Sequence, residues 1–377
     1  MVKKSDKIVI VGAGPVGCYT GRLLKHFGYT PLILEEHAEV GRPVSCAGIV
    51  GKDVFTDMLL PISKKSILNT IDGAKVSYNG FAFLLKRPGV AHIIDRAQFD
   101  QELSSGLKIE FHTKLEGIEK SGPGYRLKTT NGEYYADYVI GADGPNSRIR
   151  KSLRFDSNMK LYKGLQYRVK LEIADRDRVE VSYVKPFSLF TWLIPEGNGV
   201  ARIGTICDKP SQELERFMKE RSLKGEIIER NAGPIPIGTC QLVRGNATLV
   251  GDAACQIKPI TSGGIYYGMK SAELMVSALK DGKLQDYERL WNEEFGKEIR
   301  LCLLARYIME NMSEEALSKV FTYVRDNASL IERIGDFENH STVFWSLIAN
   351  PRTYPTIGNV LFDVLKKPRI LLRLLRR

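Results

Sequence analysis

Cysteine is scarce in this chain: there are 6 in 377 residues, at positions 18, 46, 207, 240, 255 and 302, with no C-x-x-C pair. That spacing excludes a zinc ribbon and the disulfide framework of a small secreted domain, and it suits a reducing, cytoplasmic setting. Histidine is equally sparse. His26, His37, His92, His112 and His340 form no H-x-x-x-H pair, so no metal is expected. A G-x-S-x-G elbow is missing, which removes the usual support for a serine hydrolase. No apolar run approaches the ~18 residues that a membrane-spanning helix needs. The opening "MVKKSDKIVIVGAG" lacks the apolar stretch of an export signal. Neither a repeat of about 20 to 50 residues nor a low-complexity tract is present. No RNA- or DNA-binding motif accompanies the basic charge, so nucleic acid is not an expected partner.

What is present is an ordinary globular composition, 43% hydrophobic and 26% charged, in a chain long enough for two or three domains. The net charge of +11 is concentrated toward one end. From Asn359 to Arg377 the stretch "NVLFDVLKKPRILLRLLRR" contributes +5. Arg369, Arg373 and Arg377 recur every four residues there, beside Ile370, Leu371, Leu374 and Leu375. A helix with that stripe either lies on an anionic lipid surface, making the protein peripherally membrane-associated, or packs on the body with solvated arginines.

"KIVIVGAGPVGCYTGRLL" reads as a strand, Ile8 to Val11, a turn through Gly12, Gly14 and Gly17, and a helix that starts near Pro15. This is G-x-G-x-x-G in its required setting. The first glycine permits the tight turn, the second lets backbone approach a pyrophosphate, and the helix amino terminus offers free N–H groups. A second strand, "TPLILEE", ends in Glu35, followed by Glu36. A carboxylate at that distance hydrogen-bonds a ribose hydroxyl and repels a 2′-phosphate, so FAD or NAD is expected.

Two further stretches separate those cofactors. "YYADYVIGADGPNSRIRK" runs a strand into Gly141, Ala142, Asp143 and Gly144, and "ATLVGDAACQIKPITSGGIYYGMKSAELM" runs another into Gly251 and Asp252, then a loop opening a helix. With "IIDRAQFDQEL" around Arg96, these blocks resemble the flavoprotein hydroxylase superfamily over roughly residues 7 to 290, in the right order. Within it the chain is most similar to the geranylgeranyl reductases. "GRPVSCAGIV" looks like that family's cysteine-bearing segment, "PITSGGI" like its P-x-T-G-G-G-I loop with Ser262 in place of a glycine, and "DYERLWNEEFGKEIR" like its downstream helix. The family's P-x-x-Y-x-W-x-F-P signature survives in altered form as "KPFSLFTWLIPEG": Trp192 and Pro195 match, Phe190 stands for Tyr, Ile194 for Phe, and Pro186 is displaced by one.

The resemblance implies an α/β (mixed α+β) fold: a glutathione-reductase-like, Rossmann FAD-binding domain, an antiparallel-sheet substrate domain and C-terminal helices. Its blocks set a discontinuous FAD-binding domain at 1–70, 92–152 and 240–285, the sheet domain at 71–91 and 153–239, and a helical region with the basic tail at 286–377. It implies FAD contacts from Gly12, Gly14, Pro15, Gly17, Glu35 and Glu36, and from Arg42, Cys46, Ala47 and Gly48 in the cysteine segment. Arg96, Ala142, Asp143, Gly144, Gly251, Asp252, Gly263, Gly264 and Ile265 complete the set. Phe187, Phe190, Trp192 and Ile194 are candidates for a substrate cavity, and equally for ordinary sheet core. Cys46 is the candidate catalytic residue, placed to donate a proton near the flavin, or else a buried inert thiol.

The function implied is saturation of isoprenoid double bonds by hydride from reduced FAD plus protonation, on a prenyl lipid or prenyl diphosphate. Two other readings stay open. One is a flavin monooxygenase or halogenase, encouraged by F-x-W-x-I-P at 190–195 and by Lys75; the other is a non-enzymatic prenyl-binding flavoprotein. No second dinucleotide fingerprint appears, which leaves NADPH, ferredoxin or a small reductase as electron donor.

Overall fold

A computed structural model describes residues 2–184 and 189–349. Phe187 and the basic tail therefore lie outside the described residues. The chain divides into two compact units, one of residues up to 67, 94–162 and 233–297, the other of 68–93, 163–232 and 298 onward. The helices after Glu298 group with the second unit, whereas the sequence reading sets a separate helical region from 286.

The first unit is built on a six-stranded sheet whose central strand, Ile8–Val11, pairs in parallel with Leu32–Leu34 on one side and Tyr138–Gly141 on the other. Beyond them lie Lys108–Glu110 and Ala247–Leu249, also parallel, with Val243–Arg244 as an antiparallel edge. All four residues of the central strand are buried, as a parallel strand covered on both faces must be. Because its parallel neighbours come from opposite directions in the sequence, the carboxyl ends of these strands open a crevice at a topological switch point. Helix Pro15–His26 packs on helix Ile265–Lys280, where a side chain on Gly268 would meet Val16 Cγ2 at 2.4 Å. A three-stranded antiparallel meander, Leu115–Ser121, Gly124–Thr129 and Gly132–Ala136, precedes strand Tyr138–Gly141.

The second unit carries a sheet in which Lys160–Lys170, Val200–Ile206, Leu189–Gly197 and Arg178–Val184 pair antiparallel in that order. The pairing is not antiparallel throughout. Arg178–Val184 runs parallel to Ile67–Tyr78, Arg178 opposite Gly73 and Tyr183 opposite Tyr78. Parallel neighbours need a long crossover, and here about a hundred residues of the chain intervene between the two strands. On one face Tyr167, Val169, Leu193, Ala201 and Ile203 pack against Leu214 and Phe217 of helix Pro210–Glu220. The period of two turns Phe190, Trp192 and Ile194 to the opposite face.

Candidate active site

The glycine turn is set by close approach. A Cβ on Gly12 would lie 2.4 Å from the Ala142 oxygen, and one on Gly17 would lie 2.0 Å from the Gly12 oxygen. Any side chain at either position forces backbone apart. A Cβ on Gly14 meets nothing within 4 Å. That open side, at the amino end of a twelve-residue helix with Pro15 in its first turn, is a cradle that could hold a pyrophosphate.

Glu35 is buried and locked to this turn: its Oε2 accepts from Ala13 N (2.7 Å) and its Oε1 from His37 N (2.9 Å), with His37 Nδ1 2.6 Å away. These contacts fix the carboxylate at the end of strand Leu32–Leu34, and Oε2, which accepts only from Ala13 N here, keeps a lone pair that a ribose hydroxyl could use. Glu36 and Arg42 sit differently. Glu36 is exposed and pairs with Lys114 at 2.6 Å; Arg42 is exposed beside Glu39 at 3.3 Å.

Asp143 turns back on its own loop, where Oδ2 accepts from the backbone of Arg148 (2.7 Å) and Ile149 (3.2 Å). It shapes the turn that carries Ala142 and Gly144. Burial raises its carboxyl above the ordinary value, with Ser147 and these N–H groups pulling the other way.

The cysteine segment comes to helix Arg96–Ser104. Gly48 donates its N–H to Cys46 Sγ (3.3 Å) and accepts from Ile94 N (2.9 Å) through its carbonyl, with Ala47 between. Arg96, in the first turn of the helix, hydrogen-bonds the Cys46 sulfur and forms a fork on Asp100, Nε to Oδ1 at 3.2 Å and Nη2 to Oδ2 at 2.8 Å. Burial opposes the charge on Arg96, but Asp100 and Cys46 more than offset it and hold the guanidinium above its usual value. Burial likewise raises the Asp100 carboxyl, which Arg96 pulls back down. Since a guanidinium does not give up its proton in proteins, the ionised pair is the state the geometry supports.

Asp252, in the short turn Gly251–Ala254, completes the cluster. Its Oδ1 stands 2.8 Å from where a Cβ on Gly264 would be, so the carboxylate lies at the amino end of helix Ile265–Lys280. Burial pushes its pKa up to about 6, with Arg96 pulling down. The folded state therefore holds a proton that the unfolded chain, near 3.8, has lost. Between these values stability falls as pH rises, and above about 6 the loss is complete. In the cofactor-free protein, Asp252→Asn is expected to overtake the wild type across that window. Urea denaturation at steps of pH measures it; parallel curves for the two proteins reject the assignment.

Gly263 and Gly264 follow Ser262, which has φ of +64° and a buried Oγ with no hydrogen-bond partner among the described residues. That hydroxyl is available to a ligand seated in the loop. Without one, the left-handed backbone and the orphaned hydroxyl both cost stability. Ser262→Gly is expected to stabilise the cofactor-free protein by about 1 kcal/mol, read from the denaturation midpoint. An unchanged or lower midpoint contradicts this account.

Several residues that hold the site have no motif. Arg150 is buried and ties two turns together, Nη1 donating to Ala253 O and Nη2 to Pro145 O, each at 2.7 Å. Gln256 accepts from Gly251 N (2.8 Å) and donates to the Tyr287 hydroxyl (2.8 Å), which donates to Leu249 O (3.2 Å). Tyr287 opens the helix after "LQD", so the likeness in "DYERLW" has a structural cause. Burial raises the thiols of Cys18, Cys255 and Cys240, the last to about 11, which makes them inert packing groups.

In the second unit Phe190 and Trp192 lie 5.8 Å apart between ring centres, and Tyr183 extends the row at 5.8 Å from Phe190. Trp192 lies across Gly204 and donates its indole N–H to Gln166 (2.9 Å). Ile194 continues the face, which ends in a charged network: Glu196 accepts from Arg168 (2.6 Å) and Arg202 (2.7 Å), and Arg168 also reaches Glu229 (2.7 Å). Among the described residues no helix is long and apolar enough to cross a membrane.

The site's chemistry agrees with what the chain is similar to. Residues 94–198 match the FAD binding domain family. An uncharacterized protein of Methanocaldococcus jannaschii is 29% identical over 372 residues, covering 91% of this chain and 95% of its own length. Digeranylgeranylglycerophospholipid reductase 3 of Methanosphaera stadtmanae is 27% identical over 362 residues, covering 85% and 91%. Among solved structures, a geranylgeranyl bacteriochlorophyll reductase-like protein from Thermoplasma acidophilum superposes with a TM-score of 0.79 over 90% of this chain and 98% of its own, at 22% identity. FAD is the cofactor that the domain match names, and the glycine cradle, the fixed Glu35 and the Ser262 loop are the residues that could hold it. The chain is a FAD-dependent oxidoreductase similar in sequence to digeranylgeranylglycerophospholipid reductases.

Proposed function

We propose that this reductase saturates isoprenoid C=C bonds of geranylgeranyl chains, carried on membrane ether-lipid precursors or on a prenyl diphosphate. The observation that carries the proposal is the contact of Cys46 with the buried Arg96–Asp100 pair, whose guanidinium also acts on Asp252. Bound and reduced, FAD supplies the hydride.

An isolated alkene has no carbonyl to polarise, so the second carbon needs a positioned acid. The Cys46 thiol gives that proton. One C–H bond forms from the proton, the other from the hydride, and the two electrons of the donor end in the saturated bond. Arg96 and the Gly48 N–H hold the thiolate left behind until solvent returns a proton. The row of Tyr183, Phe190, Trp192 and Ile194 matches a polyisoprenoid chain in chemistry, and the basic stretch from Asn359 to Arg377 suits an anionic membrane surface.

The halogenase reading draws on F-x-W-x-I-P at 190–195 and on Lys75; of these, Lys75 pairs with Glu180 at 3.4 Å, itself bound to Arg221 at 2.6 Å. Chemically reduced holoenzyme mixed with a geranylgeranyl lipid under anaerobic conditions separates the classes. The expected result is lipid mass rising in pairs of hydrogens while the oxidised flavin spectrum returns. Lipid of unchanged mass beside a flavin that stays reduced overturns the proposal.

A further inference from the structure

In the second unit, helix Gly296–Asn311 carries Glu298 and Cys302 four residues apart, so both leave one face on successive turns. His340 directly precedes helix Ser341–Ala349. A carboxylate oxygen, the thiol sulfur and an imidazole nitrogen from these three residues all lie within 4.8 Å of one another. Glu298 is 7% exposed and Cys302 not at all.

The arrangement is held from both sides. Cys302 Sγ donates to Glu298 Oε1 at 3.0 Å. The same carboxylate accepts from His340 N (2.8 Å) and from Ser341 N (3.2 Å to Oε1, 3.1 Å to Oε2). Glu298 thus caps the following helix, and the cap brings the imidazole to the thiol. A buried carboxylate satisfied in this way is stable without a ligand, yet its geometry is already that of converging donors.

We propose that Glu298, Cys302 and His340 form a binding site for a borderline-soft divalent cation, with Zn²⁺ the ion that the donor set fits best. Sulfur and imidazole select against Mg²⁺ and Ca²⁺, which prefer oxygen ligands. A thiolate and a carboxylate together match a 2+ charge, and a water in the fourth position completes a tetrahedron. On binding, the Cys302 S–H bond breaks, its proton passes to solvent, and a sulfur–metal bond replaces the hydrogen bond to Glu298; no oxidation state changes. The backbone N–H groups of His340 and Ser341 remain on the carboxylate as outer support. The ion would pin helix Ser341–Ala349 to helix Gly296–Asn311.

The test uses the full-length, FAD-loaded protein titrated with Co²⁺ and then Zn²⁺. One equivalent of Co²⁺ is expected to give visible bands to the red of the flavin absorption, with a sulfur-to-cobalt band in the difference spectrum, and Zn²⁺ should displace it. Cys302→Ser keeps a hydroxyl donor to Glu298, and so keeps the cap, but should lose the sulfur band and weaken binding by at least about tenfold. His340→Ala retains the capping N–H and should weaken binding comparably with FAD content unchanged, which preserves the test should the serine variant misfold. Absence of stoichiometric, Zn²⁺-displaceable cobalt overturns the proposal, as does a sulfur band that survives Cys302→Ser.

Discussion

Asp100→Ala is expected to destabilise the protein by about 3–5 kcal/mol, the usual consequence of removing one partner from a buried ion pair. The side chains of Arg96 and Asp100 are only 12% and 5% exposed, so solvent cannot replace the missing carboxylate. Arg96 cannot shed its proton to escape the cost, as a lysine would. Asp252 also faces it, but is itself largely kept neutral by burial at low pH, so below about 6 it offers little relief. Denaturant unfolding of the wild type and variant, with and without FAD, gives the number. A companion pair of apolar replacements, Arg96→Met with Asp100→Leu, should recover much of the lost stability, because the cost lies in the orphaned charge and not in lost packing. A loss below about 1 kcal/mol for Asp100→Ala, the range of exposed pairs, would mean that the pair is solvated in solution.

What the sequence discloses follows from how local each interaction is. The glycine turn and Glu35 are legible because strand, turn and ribose acid fall within one short unit whose spacing is set by backbone geometry. Asp100 was within reach too: it stands four residues after Arg96 on a helix, the spacing of an intrahelical pair. Arg150 and Gln256 were not, since what they do depends on carbonyls and hydroxyls brought close only by the folded turns. Ser262 is readable as a substituted glycine, but its positive φ belongs to the structure. The parallel pairing of Arg178–Val184 with Ile67–Tyr78 has no mark in either strand, because it follows from the path of the chain between them. Glu298, Cys302 and His340 escape any spacing rule for metal ligands, as the last two stand 38 positions apart.

Cys46→Ala and Cys46→Ser are both expected to leave FAD content intact and to slow alkene reduction by about 10²–10⁴, the range over which a positioned proton donor acts. The sulfur touches Gly48 N and Arg96, while the glycine turn that could hold the cofactor phosphates is built from other residues, so binding and chemistry should separate. Serine tests acidity as distinct from shape: it keeps a donor of similar size at the same contacts, but an alcohol gives up its proton far less readily than a thiol, so it should fall with alanine. Single-turnover oxidation of the reduced flavin by a prenyl substrate reads the chemical step directly. Flavin content and the rate of its chemical reduction serve as controls that a merely structural cysteine would also disturb. If serine turns over at the wild-type rate, Cys46 packs the segment and does no proton chemistry. In that event the proton must come from another group near the site, and Asp252, protonated below about 6, is the next candidate to replace.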